Sequence, residues 1–118
     1  MAKEAGARKT DVLQGTLDLM VLQSLNTIGL QHGYGIARRI EQISESTLKL
    51  NEGTVYASLM RLQHTGLITS RWGTSVNNRR AKFYAITKRG MRQLSAETEN
   101  WNRIALVIGR LLGTTGGV

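Results

Sequence analysis

Apolar residues recur at helical spacing in three successive short segments, and this restricts the fold more than any other feature of the chain. In the first segment, from about Leu13 to Ile28, Leu17, Met20, Val21, Leu25 and Ile28 fall on one helical face. Leu19 and Leu22 add a second apolar strip. A helix apolar on two sides needs two partners, so one side is expected to meet another subunit. Gly29 ends this helix and LQHGYG follows as a turn. The second segment, about Tyr34 to Ser44, carries the stripe Ile36, Ile40 and Ile43. Leu48-Lys49-Leu50 alternates and reads as a very short strand. The third segment, about Glu52 to Thr65, buries Val55, Leu59 and Leu62, with Asn51 as N-cap, Glu52 at the positive end of the helix dipole and Gly66 as C-cap. Its outward face is expected to carry Thr54, Tyr56, Ser58, Arg61 and His64.

Beyond Gly66 the period changes. Leu67 to Trp72 and Ala81 to Ile86 read as strands around the turn-rich GTSVNNRR, a hairpin with a polar, basic tip. Which face of the second strand points inward stays ambiguous. Thr87 then caps a fourth helix, about Lys88 to Leu112. Leu94, Trp101 and Ile108 recur every seven residues in it, as do Thr98, Ala105 and Leu112, a seam like that of a coiled coil. The run IALVIG is apolar nearly all round. A terminal helix of this kind is expected to be covered by a partner subunit, and packing on the chain's own core is the other reading.

Charge points to the kind of partner. The 118 residues hold 16 Lys and Arg against 8 Asp and Glu. No acidic residue lies between Gly53 and Ala96, yet that window holds Arg61, Arg71, Arg79, Arg80, Lys82, Lys88, Arg89 and Arg92. So one-sided a block suits a polyanion, nucleic acid before an anionic membrane.

Several classes are disfavoured. There is no cysteine, hence no disulfide framework, thiolate zinc site or cysteine nucleophile. His32 and His64 lack acidic companions at ligand spacing, so no metal is expected. Gly33-x-Gly35 has no third glycine and no preceding strand, so it is no dinucleotide fingerprint. No catalytic triad or carboxylate pair emerges, and neither an enzyme nor a cofactor is expected. The longest uncharged stretch, Leu19 to Ala37, contains Gln23, Ser24, Asn26 and His32 and is no membrane span. The N-terminus has basic residues without an apolar region after them, so a cytoplasmic protein is expected.

The order helix, helix, helix, β-hairpin, long helix is that of a winged helix-turn-helix. The expected organisation is a flexible arm over 1–10, a DNA-binding domain over 11–87, a dimerisation helix over 88–113 and a flexible tail over 114–118. In this arrangement the third helix enters the major groove and the wing touches the adjacent backbone or minor groove. Arg79, Arg80 and Lys82 suit phosphates or a narrow minor groove. Thr54 and Ser58 offer small hydroxyls to phosphate or base. Arg61 has two readings, a phosphate contact or a pair with glutamate. Tyr56 reads as a DNA contact or as an aromatic packed on the wing. Tyr34 reads as a phosphate contact or as core.

Three stretches, HGYGIARRIEQ, LNEGTVYASLMRLQHTGLI and NNRRAKFYAITKRG, resemble the PadR family of bacterial transcriptional regulators. In that family a glycine-tyrosine pair, here Gly33-Tyr34, opens the second helix. Tyr56 stands in a pattern like the family's recognition helix, Gly53 to Leu62, and Arg79 to Gly90 is similar to its wing. Ala57 departs from it, since the family commonly has proline there. The likeness spans most of residues 13–112. It implies a homodimer that represses promoters, binds a pseudo-palindromic operator in double-stranded DNA, and responds to an effector, commonly an aromatic small molecule that changes the spacing of the two recognition helices. The short terminal helix resembles the smaller subfamily, which dimerises through that helix and the first one. The segment ENWNRIALVIGRLL is similar to the dimer helix of multidrug-binding members, where a tryptophan faces a central pore. Trp101, with Leu19, Leu22, Ile104 and Ile108, is therefore expected at a dimer or effector pocket. Two rival functions are a small-molecule-sensing dimer and a winged-helix protein-interaction module with little DNA binding.

Overall fold

The computed structural model describes residues 14–48 and 50–117, so the arm over 1–10 and the first residues of the expected DNA-binding domain lie outside the described residues. Four helices and a small sheet follow one another as α1 (Gln14–Ile28), β1 (Gln31–His32), α2 (Gly33–Ile43), α3 (Glu52–His64), β2 (Ile68–Thr74), β3 (Arg80–Ile86) and α4 (Lys88–Gly117).

Local chemistry sets most boundaries. Gly29 and Gly66 take φ of +79° and +80°, the left-handed conformation that closes α1 and α3 at little steric cost. Asn51 Oδ1 accepts the Thr54 N–H at 2.8 Å and starts α3. Thr87 Oγ1 accepts the Gly90 N–H at 3.0 Å and donates to the Leu67 carbonyl at 3.0 Å, so the cap of α4 also fixes the start of β2.

Three boundaries differ from expectation. LQHGYG is more than a turn, because Gln31 and His32 pair antiparallel with Tyr84 and Phe83 of β3. The sheet is therefore three-stranded, in the order β1-β3-β2. His32 caps α2, its Nδ1 accepting the Gly35 N–H at 3.0 Å, and the helix starts at Gly33. Leu48 makes a lone bridge and Leu50 is in no strand, while Lys49, the middle of the expected strand, lies outside the described residues. Finally, α4 runs through Gly117, into the segment expected to be a flexible tail.

The core gathers Leu17, Val21 and Leu25 of α1, Ile36 and Ile40 of α2, and Val55, Leu59 and Leu62 of α3. Ile68 and Tyr84 close it from the sheet and Leu94 from α4. Leu22 belongs here too, at 2% exposed, which removes it from the expected dimer pocket. Its side of α1 faces the interior rather than solvent. The pairings Ser70↔Tyr84 and Trp72↔Lys82 settle the ambiguous strand: Ile68, Ser70, Trp72 and Thr74 share a face with Arg80, Lys82, Tyr84 and Ile86. This inner face packs on the helices at Ile68 and Tyr84.

Burial, and secondarily the neighbouring Tyr56 phenol, pushes the Tyr84 hydroxyl above the ordinary tyrosine range. A raised folded-state value means stability is intact below the unfolded tyrosine range, about pH 10, and is lost as pH rises through it toward the folded value. Urea midpoints measured on both sides of about pH 10 are expected to fall less in Tyr84→Phe than in wild type.

Only the first member of the heptad seam, Leu94, is buried in the chain's own core. Trp101 and Ile108 are about half exposed, as are Ile104 and Val107. The 30 residues of α4 span about 45 Å, so much of the helix extends past the core.

Candidate nucleic-acid interface

The helix-turn-helix is formed by α2 and α3, joined by a turn in which Glu45 and Ser46 take positive φ. Burial of Val55, Leu59 and Leu62 fixes the rotation of α3. Gly53, Thr54, Tyr56, Ala57, Met60 and His64 are exposed. Ala57 and Met60 were missed by the sequence reading, because neither is polar. Tyr56 is 46% exposed, and its ring edge lies against Gly33 at the start of α2, close enough to touch any side chain placed there. The Thr54 hydroxyl is exposed but donates to Asn51 Oδ1 at 3.0 Å, which leaves its lone pairs as outward acceptors.

Two expected contact residues point elsewhere. Ser58 is fully buried and donates to Asp18 Oδ1 of α1 at 2.6 Å. Arg61 Nη2 donates to the same oxygen at 2.7 Å, and Nε to Oδ2 at 3.4 Å. Both lie on the side of α3 that faces α1, so neither belongs to the outward face. Of the two readings of Arg61, ion pairing holds, with an aspartate as partner. Asp18 itself had no assigned role, and no local pattern in the sequence links it to residues forty positions away.

Tyr34 is 54% exposed, so the core reading fails. Its ring stacks beside His32, with centroids 6.4 Å apart, and the Arg38 guanidinium lies 6.0 Å from its centroid.

The wing presents its cations in two places. Arg79 sits in the tip turn, which is closed by the Ser75 N–H to Arg79 carbonyl bond of 2.8 Å, with Asn78 at φ 60°. Arg80 and Lys82 stand lower, on the inner face of β3, with Lys82 opposite Trp72. That face continues from the patch against the helices, and Ser70 Oγ donates to Gln63 Oε1 of α3 at 3.2 Å. The wing cations therefore share a side of the molecule with the C-terminal half of α3. Trp72 was another omission.

Among the expected pocket residues, Leu19 and Trp101 do meet. They line an apolar groove of about 520 Å³ with Met20, Ile40, Ile43 and Leu48. Leu19, Trp101 and Ile104 share an adjoining depression. Ile108 sits one turn further along α4, exposed and outside both. Among the described residues, no group of three or more His, Asp or Glu side chains could hold a metal ion, and no helix is long and apolar enough to cross a membrane.

A three-helix body, a recognition helix with an exposed face and a basic hairpin on the same side define a winged helix-turn-helix protein. The chain belongs to the transcriptional regulator PadR-like family, whose signature matches residues 21–96. It is similar to a PadR family transcription regulator from Clostridium difficile, with 30% identity and a TM-score of 0.70, covering 82% of this chain and 98% of that one. A PadR-like transcriptional regulator from Bacillus cereus matches with 25% identity and a TM-score of 0.73, covering 85% and 94%. The fold is also that of Bacillus subtilis PadR, whose structure was solved in complex with operator DNA. There the identity is 22% and the TM-score 0.63, over 73% of this chain and 48% of that one.

Proposed function

We propose that this chain is a sequence-specific DNA-binding repressor, acting in the cytoplasm as a homodimer and released from its operator by a small aromatic effector. The observation that carries the reading is the side shared by the C-terminal half of α3 and the cations Arg80 and Lys82, with Arg79 at the wing tip, within a window that contains no acidic residue. Tyr34, Thr54 and Tyr56 are exposed polar groups of the same helix-turn-helix. The half-exposed apolar residues of α4 support dimerisation, since a small domain seldom leaves such a surface bare. In the dimer, two recognition helices about 34 Å apart would read a pseudo-palindromic site. The groove holding Leu19 and Trp101 supports the effector reading, because a flat apolar ring can stack there on an aromatic cation.

The test is a gel shift on the DNA upstream of the chain's own gene, over a salt series, with excess nonspecific competitor. Specific, salt-sensitive retention is expected, with release by aromatic cations. The double variant Arg79→Ala/Arg80→Ala is expected to weaken operator and competitor binding alike, by about tenfold, and to lower the salt slope by about 2. A loss confined to the operator would assign base reading to these arginines instead. Absence of any specific complex on that DNA or on other promoter fragments would refute the regulator reading.

A further inference from the structure

We propose that Trp72 is a positioning residue of the wing, holding Arg80 and Lys82 ready for the phosphate backbone; this rests on the DNA-binding reading above. Trp72 lies on the inner face of β2 and is 57% exposed. Its ring centroid is 4.7 Å from the Arg80 guanidinium carbon and 5.8 Å from the Lys82 ammonium. The register makes this possible. Lys82 is directly across from Trp72 and Arg80 is its diagonal neighbour, so alternate residues of one strand converge on a single ring. Among the described residues, the one ion pair observed is Arg61 with Asp18, and neither Arg80 nor Lys82 has a carboxylate partner. The indole is what gathers these two side chains.

A guanidinium over a ring face keeps its N–H donors at the edge, free to meet an oxyanion. Long cationic side chains otherwise lose much rotamer freedom on contacting phosphate. A ring that already confines them reduces the loss left for the binding step. An indole merely filling space would need apolar neighbours, yet here its inner-face neighbours are Arg80, Lys82 and the polar Ser70 and Thr74. Phosphate contact is sequence-independent, so the effect is expected on DNA of any sequence.

Two measurements test this. In the free protein, the Arg80 δ-proton and Lys82 ε-proton resonances are expected upfield of random-coil positions through the indole ring current. Trp72→Leu should return them there, while Trp72→Tyr should keep most of the displacement. Binding to a short duplex of mixed sequence is then followed by anisotropy over a salt series. Trp72→Leu is expected to weaken it about fivefold with the salt slope unchanged, because no charge is removed. Arg80→Ala should lower the slope by about 1. Trp72→Tyr should stay within about twofold of wild type, since tyrosine retains a π face. Random-coil shifts in the wild type, equal affinity of Trp72→Leu and wild type, or a reduced slope in Trp72→Leu would each overturn the proposal. If the wild type binds no DNA, the regulator reading is what fails, and the resonance shifts alone decide whether Trp72 positions the cations.

Discussion

Gly90→Ala is expected to be the most damaging single-methyl change in the chain. Gly90 is buried in the first turn of α4, directly under the start of β2. A methyl group there runs into the Leu67 carbonyl oxygen and meets Ile86 Cγ1 as well. The carbonyl is held in place by the Thr87 N–H at 3.0 Å and by the Thr87 hydroxyl, which it shares with the Gly66 carbonyl. Relief requires moving α4 away from the sheet, which also loosens the packing of Leu94. Overpacking against backbone rather than against a flexible side chain is expected to cost about 3 kcal/mol. For a domain of this size that lowers Tm by roughly 10–15 °C. A thermal melt followed by circular dichroism checks it, and a melt within about 2 °C of wild type would show that the helix can slide at little cost.

Asp18→Ala is expected to be the next largest. Among the described residues, Asp18 is the sole partner of the buried Ser58 hydroxyl, and it forms the ion pair with Arg61. Truncation strands the hydroxyl inside the α1–α3 interface, and a buried polar group without a partner costs about 1–3 kcal/mol. Arg61 adds less, since its side chain is a third exposed and water takes over much of its solvation. The expected total is about 2 kcal/mol. The pair Asp18→Ala/Ser58→Ala should lose clearly less than the sum of the two single changes, because removing both partners leaves nothing stranded. Urea denaturation of the four chains measures the coupling, and strict additivity would dissolve the assignment. This contact ties α3 to α1 beside the buried Val55, Leu59 and Leu62, so under the proposed function Asp18→Ala should also reduce operator affinity in proportion to any tilt of α3.

What the sequence made legible follows the reach of the interactions. Gly29, Asn51, Gly66 and Thr87 act on neighbours within one helical turn, and each stands at the boundary its chemistry implied. The strand pair of the wing was visible for the same reason. Ser58 and Arg61 were misplaced because a helical wheel separates apolar from polar residues but cannot tell which polar residue has a buried partner on another element. Leu19 and Leu22 looked alike for a related reason: both are apolar, and only the packing of the other elements on α1 decides that Leu22 is interior and Leu19 lines the groove. The two residues of β1 are too few to show a period, and they are a strand only because Tyr84 and Phe83 lie beside them. Trp72 escaped notice because its role depends on the cross-strand register, which fixes who stands opposite whom.

The short strand β1 has a mechanical consequence. Its bonds reach Tyr84 and Phe83 and stop there, so the hairpin is held on both sides at its base, while from Lys82 outward β3 has β2 as its single neighbour. The wing is thus a cantilever, clamped at one end into the strand that runs straight into the cap of α2. Load applied at the tip is passed at the base to β1 and the His32 cap as well as to Ile68 and Tyr84 in the core. Residues inserted between Ser75 and Arg79 would lengthen the arm and change its reach along a duplex while the body of the protein kept its shape.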